Sequence, residues 1–293
     1  MILMDLCSPR TIRQLMEEYQ IAFRKDYGQN FLINPAIPAR IAESCCDERE
    51  SVILEIGPGI GSLTRELASR YKKVVALEID KGLIPVLKKT LADCDNVILV
   101  NEDVMKTDLK LLLEKETGAS PVSVCANLPY YITTPILMKL LESGIPFDYI
   151  TVMIQTEVAD RLCASAGSPE YGAITAVLNY YGTAKRLFAV SAGNFMPAPK
   201  VGSTVIRIEC FKAPPFELKD ASLFFEIIKS AFGQRRKTLS NAISHLFPML
   251  TKAAIGEIIT TLGHRPDVRG ERLSSGDFAA LSNALYLAKN SVK

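Results

Sequence analysis

Four consecutive residues, Asn127-Leu128-Pro129-Tyr130, follow the apolar run 122–126 and carry groups suited to chemistry. An amine on an aromatic ring is a poor nucleophile, because its lone pair is delocalised into the ring. The Asn127 amide oxygen and the Leu128 carbonyl could each accept one amine hydrogen, which favours a pyramidal nitrogen whose lone pair faces an electrophile. Pro129 fixes the loop, and Tyr130 offers a ring on which a base can stack. The tetrapeptide therefore predicts a site that activates an aromatic amine.

A second candidate site follows the apolar run 51–56, where residues 57–61 read G-P-G-I-G and lead into a predicted helix. Gly57 and Gly59 allow a tight turn and a close approach of the backbone to a ligand. Glu78 ends the next apolar run, 21 positions after Gly57, where its carboxylate could accept hydrogen bonds from two ribose hydroxyls. This pattern is typical of dinucleotide sites and of S-adenosylmethionine sites.

Two residues favour S-adenosylmethionine over a dinucleotide. The dinucleotide fingerprint requires a third glycine where Ser62 stands, because the pyrophosphate sits on the helix N-terminus. Glu55 lies just before the glycines, where a carboxylate would repel a pyrophosphate and attract a cationic methionine moiety.

Asp103, after the run 96–100, either hydrogen-bonds the adenine amine or caps the following turn, and the spacing leaves both interpretations open.

Short apolar runs alternate with helical patterns through most of the chain, and they are nearly continuous in Val, Ile and Leu. Such runs are typical of strands buried on both faces, so the sequence predicts an α/β fold with a doubly wound, Rossmann-like parallel sheet. The predicted strands are 51–56, 73–79, 96–100, 122–126 and 149–154, with 189–192 and 202–211 as antiparallel additions. Helices are predicted at 9–19 and from Asn34-Pro35 to about Cys46, with the N-terminal one as a lid or packing appendage.

The C-terminal part has a different pattern. Adjacent prolines mark 212–219 as a linker, and only helical patterns follow, at 220–232, 236–247, 252–262 and 274–289. The sequence predicts a catalytic, cofactor-binding domain over 1–211, which includes the N-terminal helical appendage, and a small helical RNA-binding domain over 212–293. Between Lys229 and Arg272, eight Lys or Arg face three Asp or Glu, a local net charge of +5 that indicates a polyanionic partner or a solvated helical face.

Composition excludes several classes of protein. Hydrophobic residues make up 48% and charged residues 23%, which is typical of a globular domain. No apolar run reaches the roughly 18 residues of a membrane span, and the first residues lack the features of a signal peptide, so we expect a cytoplasmic protein without membrane contact. Seven cysteines without a C-x-x-C pair and only two histidines predict no disulfide framework and no metal site.

The tetrapeptide 127–130 resembles the acceptor motif of methyltransferases that act on amino groups of adenine in nucleic acids. Further segments resemble the small-subunit ribosomal RNA adenine dimethyltransferases, the KsgA group, and together they cover the chain from about Phe23 to Phe278. These segments are Q-N-F-L (29–32), E-I-G-P-G-I-G (55–61), N-L-P-Y-Y-I-T-T-P-I-L (127–137), F-M-P-A-P-K-V-G-S (195–203) and A-F-G-Q-R-R-K-T-L-S-N (231–241).

The resemblance implies an S-adenosylmethionine-dependent enzyme that produces two adjacent dimethyladenosines near the 3′ end of small-subunit (16S) ribosomal RNA. Tyr130 and Phe195 would hold the target adenine between them, although Phe195 among prolines also suits a buried loop anchor. Tyr131 replaces a small polar residue of many members at the edge of the base pocket. The implied cofactor-binding residues are Asn30, Leu32, Gly57, Gly59, Glu78, Asp103 and Asn127.

Three consecutive basic residues, Arg235, Arg236 and Lys237, precede a predicted helix. That arrangement suits contacts with RNA phosphates, and it also suits a solvated helix start. We expect a monomer whose partner is the small ribosomal subunit.

Two other functions fit the same motifs. Methyltransferases that modify a large-subunit ribosomal RNA adenine and confer antibiotic resistance share the fold and N-L-P-Y, but the strings F-x-P-x-P-x-V-x-S and G-Q-R-R-K-T-L favour the small-subunit group. The fold also serves non-catalytic factors in transcription and ribosome assembly. The complete set of cofactor and acceptor residues in this chain favours an active enzyme.

Overall fold

A computed structural model describes residues 4–22, 29–118 and 120–291. The chain forms two compact units, one of Met1–Ala159 with Lys185–Lys212 and one of Asp160–Ala184 with Ala213–Lys293. Residues 160–184, which precede the predicted linker, cluster with the C-terminal helices. The assignment of catalysis to 1–211 and of RNA binding to 212–293 remains a prediction.

A seven-stranded mixed sheet forms the centre of the first unit, in the order β4-β3-β2-β5-β6-β9-β7. The strands from β4 to β6 are parallel, and β9 is antiparallel to β6. This arrangement confirms the predicted Rossmann-like α/β fold. The strands are β1 (Phe31–Leu32), β2 (Val52–Ile56), β3 (Lys73–Leu77), β4 (Val97–Val100), β5 (Val122–Asn127), β6 (Tyr149–Gln155), β7 (Gly182–Val190), β8 (Phe195–Met196) and β9 (Ser203–Cys210).

Helices follow most of these strands, and further helices make up the second unit. They are α1 (Pro9–Glu18), α2 (Ala36–Glu43), α3 (Ser62–Ala68), α4 (Leu83–Thr90), α5 (Leu109–Thr117), α6 (Thr133–Glu142), α7 (Thr156–Leu162), α8 (Ala173–Tyr181), α9 (Ala221–Gly233), α10 (Leu239–Ile243), α11 (Lys252–Thr261) and α12 (Ser275–Ser291). Short 3₁₀ helices occupy Tyr130–Ile132, Ala192–Asn194, Ser244–Leu246 and Gly270–Arg272.

The central strand β2 determines where a ligand can bind. Every residue of β2 is buried, because β3 and β5 flank it and helices cover both faces. The chain passes from β2 to β3 on one side and later returns to β5 on the other side. The strand order thus reverses its direction at β2. Doubly wound sheets bind ligands where the order reverses, at the carboxyl ends of the strands. The glycine-rich residues 57–61 and the tetrapeptide 127–130 both lie there.

Two predicted elements were wrong in extent. The strand predicted at 189–192 is only the end of β7, and residues 192–194 form a 3₁₀ helix. Thr183, Lys185 and Arg186 are exposed because β7 is the edge strand, so most of it lacks the buried apolar run that marks the other strands. The polar stretch predicted over 23–34 contains the strand β1, while residues 23–28 lie outside the described part of the chain.

The second unit has an apolar core of its own. Tyr171, Phe224, Phe247 and Phe278 are fully buried in this core, which α8 to α12 surround. The helix predicted at 236–247 begins three residues later, at Leu239, because residues 234–237 form a turn in which the Lys237 N–H donates to the Gln234 carbonyl at 2.9 Å. The other C-terminal helices begin and end within two residues of the predicted positions.

Within residues 4–22, 29–118 and 120–291, no helix combines the length and apolar character that crossing a membrane requires. The same residues contain no group of three or more His, Cys, Asp or Glu side chains placed to hold a metal ion. All seven cysteines are free thiols, and Cys7, Cys45, Cys46 and Cys125 are buried.

Candidate active site

An open cleft lies at the carboxyl ends of β2, β3 and β5, where doubly wound sheets bind ligands. Four segments of the first unit line it, and they include nine residues that the sequence predicted as site residues. The lining residues are Gln29, Asn30, Phe31, Leu32, Glu55, Gly57, Pro58, Gly59, Ser62, Leu63, Glu78, Ile79, Leu83, Asn127, Leu128, Pro129, Tyr130 and Tyr131.

The glycine-rich loop between β2 and α3 forms one wall of the cleft. Gly59 has φ +63°, a conformation that L side chains rarely adopt. A Cβ at this position would lie 3.1 Å from Cε1 of the Phe31 ring, which is closer than almost all real contacts. Both the backbone conformation and the contact with Phe31 therefore require glycine, and the loop presents bare backbone to a ligand.

Glu78 follows β3 and faces the glycine-rich loop. Its Oε2 accepts a hydrogen bond from the Gly59 N–H at 3.2 Å, and its Oε1 accepts one from the Asp80 N–H at 2.8 Å. Burial raises the pKa of the Glu78 carboxyl to about 7. Because each carboxylate oxygen has a second lone pair, both can still accept a ligand hydroxyl. This geometry suits a ribose diol.

Glu55, in β2, is the other carboxyl group on the cleft wall. It is 1% exposed, and among the described residues its Oε2 has no hydrogen-bond partner. Burial raises the pKa of the Glu55 carboxyl, Thr64 opposes this shift and the nearby Glu78 adds to it, so that the pKa is about 8. A buried carboxylate without a partner is costly, so a cationic ligand in the cleft would be stabilised by Glu55.

The tetrapeptide 127–130 forms the opposite wall, and hydrogen bonds hold its first two residues. The Asn127 Nδ2 donates to the Asn30 carbonyl at 3.4 Å, which leaves the Asn127 Oδ1 as the acceptor for a ligand. The Leu128 N–H donates to the Met153 carbonyl of β6 at 3.1 Å. These contacts preorganise the two acceptors that the sequence predicted.

The remaining two residues of the tetrapeptide are held as firmly. The Thr133 hydroxyl donates to the Pro129 carbonyl at 3.0 Å, and Pro129 has φ −59°. The Tyr130 hydroxyl shares a hydrogen bond with the Ser203 hydroxyl at 2.6 Å, which orients the half-buried ring. Burial raises the pKa of Tyr130 above its usual value, so the hydroxyl stays protonated.

Two predicted site residues lie away from the cleft wall. Asp103 caps the turn after β4, since its Oδ1 accepts from the Met105 N–H at 2.9 Å and its Oδ2 lies 3.9 Å from Lys106 Nζ. Phe195 is 3% exposed and pairs opposite Leu32, in a core cluster beside the sheet. The structure thus places both in the alternative roles described above, a turn cap and a buried anchor, and their ligand roles remain predictions.

The predicted RNA-binding residues Arg235, Arg236 and Lys237 lie in the turn between α9 and α10, and all three are exposed. Arg235 also has contacts within its own unit: its Nη2 lies 3.1 Å from the Tyr171 carbonyl and 3.4 Å from Glu271 Oε2. The side chains of Arg236 and Lys237 have no hydrogen bond or ion pair with any residue that the structure describes. We define residues 235–237 as the basic turn.

Several cleft residues were not predicted as site residues. Ile79 follows Glu78, is 42% exposed and borders the cleft, although sequence reasoning treats it only as the end of a strand. Gln29 lines the cleft, and its Nε2 donates to Asp80 Oδ2 at 2.9 Å. Gln29 could have been predicted as a cleft residue, because it belongs to the Q-N-F-L segment that resembles the family. The packing of Phe31 under Gly59 had no signal in the sequence.

The cleft fits S-adenosylmethionine on three observations. The bare backbone at Gly59 admits a ligand in close contact, the Glu78 carboxylate suits ribose hydroxyls, and the partnerless Glu55 oxygen suits a positive charge. A dinucleotide fits less well, because its pyrophosphate would face the Glu55 carboxylate.

Comparison with known proteins identifies the family. The model of the family described as "Ribosomal RNA adenine dimethylase" matches residues 20–266. The chain belongs to the ribosomal RNA adenine dimethylase family. The family consists of S-adenosylmethionine-dependent methyltransferases, so the predicted enzyme class and cofactor are confirmed.

Relatives within the dimethylase family match nearly the whole chain. The "Ribosomal RNA small subunit methyltransferase A" of Alkaliphilus oremlandii is 43% identical over 96% of this chain and 98% of its own length. The protein of the same name from Bacillus mycoides is 44% identical over 97% of this chain and 99% of its own length.

Solved structures show the dimethylase fold. A dimethyladenosine transferase from Plasmodium falciparum superimposes with a TM-score of 0.73 at 24% identity and covers 89% of this chain and 98% of that one. The 23S rRNA methyltransferase ErmE superimposes with a TM-score of 0.69 at 24% identity and covers 88% of this chain and all of the other. At this identity the likeness concerns the fold alone.

Proposed function

We propose that this chain dimethylates the 6-amino groups of two adjacent adenosines near the 3′ end of small-subunit (16S) ribosomal RNA. The observation that carries the proposal is the 42–44% identity, over at least 96% of the chain, to proteins named as small-subunit methyltransferases. The enzyme acts as a cytoplasmic monomer on the small ribosomal subunit.

Six residues of the cleft hold the cofactor in this proposal: Asn30, Leu32, Gly57, Gly59, Glu78 and Asn127. The bound cofactor supplies a methyl group on a positively charged sulfur. Glu78 accepts hydrogen bonds from the ribose hydroxyls while its own bond to the Gly59 N–H keeps the carboxylate in place. Glu55 neutralises the positive charge of the methionine moiety in a buried setting.

The tetrapeptide 127–130 activates the adenine amine. Asn127 Oδ1 and the Leu128 carbonyl each accept one amine hydrogen, which directs the nitrogen lone pair toward the methyl group. The Tyr130 ring stacks on the base, and its bond to Ser203 keeps the ring from turning away. No general base is required, because methyl transfer leaves a positive charge on the nitrogen, and this cation readily loses a proton to water.

The test uses purified protein and two RNA substrates. Small ribosomal subunits from cells that lack this methylation are compared with naked large-subunit RNA, and methyladenosines are mapped by mass spectrometry. We expect two adjacent dimethyladenosines in the small-subunit RNA and none in the large-subunit RNA. Methylation confined to the large-subunit RNA would overturn the proposal, as would cofactor binding without methylation of either substrate.

A further inference from the structure

We infer that α1 and the residues that follow it to Ile21 form a positioning element of the cofactor site. The family model begins at residue 20, so α1 lies outside the part of the chain that it matches. The inference rests on the proposed placement of the cofactor in the cleft. It assigns a purpose to a helix that the sequence could describe only as a lid or an appendage.

The apolar face of α1 packs beneath the cleft. Ile12, Leu15 and Met16 are each at most 4% exposed. They share one buried cluster with three residues that form or support the cleft wall, and each of these comes from a different segment: Phe31 of β1, Ile60 of the glycine-rich loop and Leu83 of α4. Burial at this one place thus fixes the relative position of three segments that line the cleft.

The contact with the glycine-rich loop is close on both sides. Phe31 packs in the α1 cluster and also lies against Gly59, where an added methyl group would lie only 3.1 Å from the ring. On the other side of the loop, the Ile60 carbonyl accepts a hydrogen bond from the Thr90 hydroxyl of α4 at 2.9 Å. A gap left under Phe31 or Ile60 would therefore let the loop move where it meets the ligand.

The residues at the end of α1 also contact segments that line the cleft. Gln20 has φ +55°, and the Ile21 N–H donates to the Met16 carbonyl at 2.8 Å, which closes the helix and directs Ile21 back toward the cleft. Ile21 lies within van der Waals reach of a Cβ placed on Gly82, beside Asp80. The Lys89 ammonium pairs with the Glu18 carboxylate at 2.6 Å, which joins α1 to α4.

The test compares two truncations of buried leucines in the full chain. Leu15→Ala removes side-chain volume from the α1 cluster, and Leu113→Ala removes the same volume from α5. Leu113 is 3% exposed. The last turn of α5 is bonded to Lys73 at the start of β3, so it lies at the amino-terminal ends of the strands, away from the cleft at their carboxyl ends. Both changes cost folding energy, so melting temperature is measured for each and binding is measured where both are folded.

We expect Leu15→Ala to raise the Kd for S-adenosylmethionine about tenfold and to raise the cofactor KM equally, because the three segments lose their shared support. The kcat at saturating cofactor and the affinity for ribosomal subunits should stay within twofold of the original chain. Leu113→Ala should leave the cofactor Kd within twofold. Leu15→Met, which keeps the volume, should restore the original Kd.

Ile12→Val covers the case in which Leu15→Ala does not fold, since loss of one methyl group is too small to unfold the chain. We expect it to raise the cofactor Kd two- to fourfold, with Ile208→Val in β9 as its control. Equal cofactor affinity in the α1 variants and their controls would overturn the inference while the original chain still bound the cofactor. If the original chain bound no cofactor, the proposed function itself would fail.

Discussion

The tetrapeptide 127–130 and the basic turn 235–237 are both accessible to a ligand, but the protein holds them differently. In the tetrapeptide, hydrogen bonds to Asn30, Met153 and Ser203 fix the groups that would face the substrate. In the basic turn, Arg236 and Lys237 extend without partners among the described residues. Fixed acceptors suit chemistry that depends on sub-ångström geometry, whereas exposed charges suit a phosphate backbone that has no single geometry.

Within the basic turn, Arg235 contacts other residues of the protein, whereas Arg236 and Lys237 have no partner among the described residues. Its guanidinium binds the Tyr171 carbonyl and the Glu271 carboxylate, so it holds the turn against the residues before α8 and against the 270–272 helix of its own unit. We therefore expect the tetrapeptide to carry the chemistry, Arg236 and Lys237 to attract RNA, and Arg235 to support the turn. Each assignment can be tested separately.

The largest expected effect concerns Asn127. We expect Asn127→Ala to lower kcat by roughly 10²- to 10³-fold, the usual result of removing one preorganised acceptor or donor from an active site. Affinity for small ribosomal subunits should change less than twofold, because phosphate contacts hold the RNA. Single-turnover methylation and subunit binding on one preparation measure both quantities. Loss of subunit binding with retained turnover would contradict the assignment.

The next effect concerns Glu78, whose carboxylate we propose to serve the cofactor and not the RNA. We expect Glu78→Ala to weaken S-adenosylmethionine binding by roughly 10- to 150-fold, because a charged acceptor of hydrogen bonds contributes about 1.5 to 3 kcal/mol. Calorimetry at pH 8, where the original carboxyl group is mostly ionised, measures the change. Unchanged cofactor affinity would remove Glu78 from the site.

Reversal of charge in the basic turn should produce a smaller effect of a different kind. We expect Arg236→Glu with Lys237→Glu to weaken subunit binding roughly tenfold at physiological salt and to reduce its salt dependence, since two phosphate contacts are lost. Cofactor affinity and melting temperature should stay unchanged. Undiminished subunit affinity in a folded, cofactor-binding double variant would rule out the RNA role.

The matched single variant is Arg235→Glu. Because Arg235 holds the turn to Tyr171 and Glu271, we expect this change to lower the melting temperature, while the double variant leaves it unchanged. Equal melting temperatures of the single and double variants would show that the three residues act alike.

The smallest expected effect is a dependence of cofactor affinity on pH. The folded chain holds protons on Glu78 and Glu55 up to pKa values of about 7 and about 8, well above the usual value of 4.5. Between about pH 4.5 and about pH 8 the folded state binds more protons than the unfolded state. The free energy of unfolding of the cofactor-free protein therefore falls as pH rises through this range. A cationic cofactor favours the ionised carboxylates and releases those protons.

We therefore expect cofactor affinity to rise about fivefold between pH 6 and pH 8, accompanied by proton release. Calorimetry in buffers with different ionisation enthalpies measures both quantities, and Glu55→Gln should reduce the number of protons released. Affinity that is independent of pH, with no proton release, would contradict the paired role of the two carboxyl groups.

The sequence predicted the parts of the fold that depend on burial. Strands β2, β3, β5 and β6 begin and end within two residues of their predicted positions, because strands covered on both faces must be apolar at nearly every position. The edge strand β7 lacks this constraint: Lys185 and Arg186 are exposed, and only its last residues were predicted. Helix α8 was missed because its apolar residues continue into β7 without a turn signal.

The site shows the same division. Gly57, Glu78 and Asn127 could be predicted because each follows a recognisable strand, and strand ends meet at one edge of a parallel sheet. For Phe195 the sequence could not choose between base contact and buried anchor, because residue type does not determine which side of a two-residue strand faces the core. The contacts of Arg235 join residues 64 positions apart, and no local pattern records such a contact.

Helix α1 is made early in synthesis, but its partners are made much later. At the usual rate of about 5 to 20 residues per second, Leu83 leaves the ribosome roughly 3 to 14 seconds after Leu15. During that interval the apolar face of Ile12, Leu15 and Met16 has only part of its eventual cover, Phe31 and Ile60. The nascent chain thus carries a partly exposed apolar stripe at least until α4 is complete.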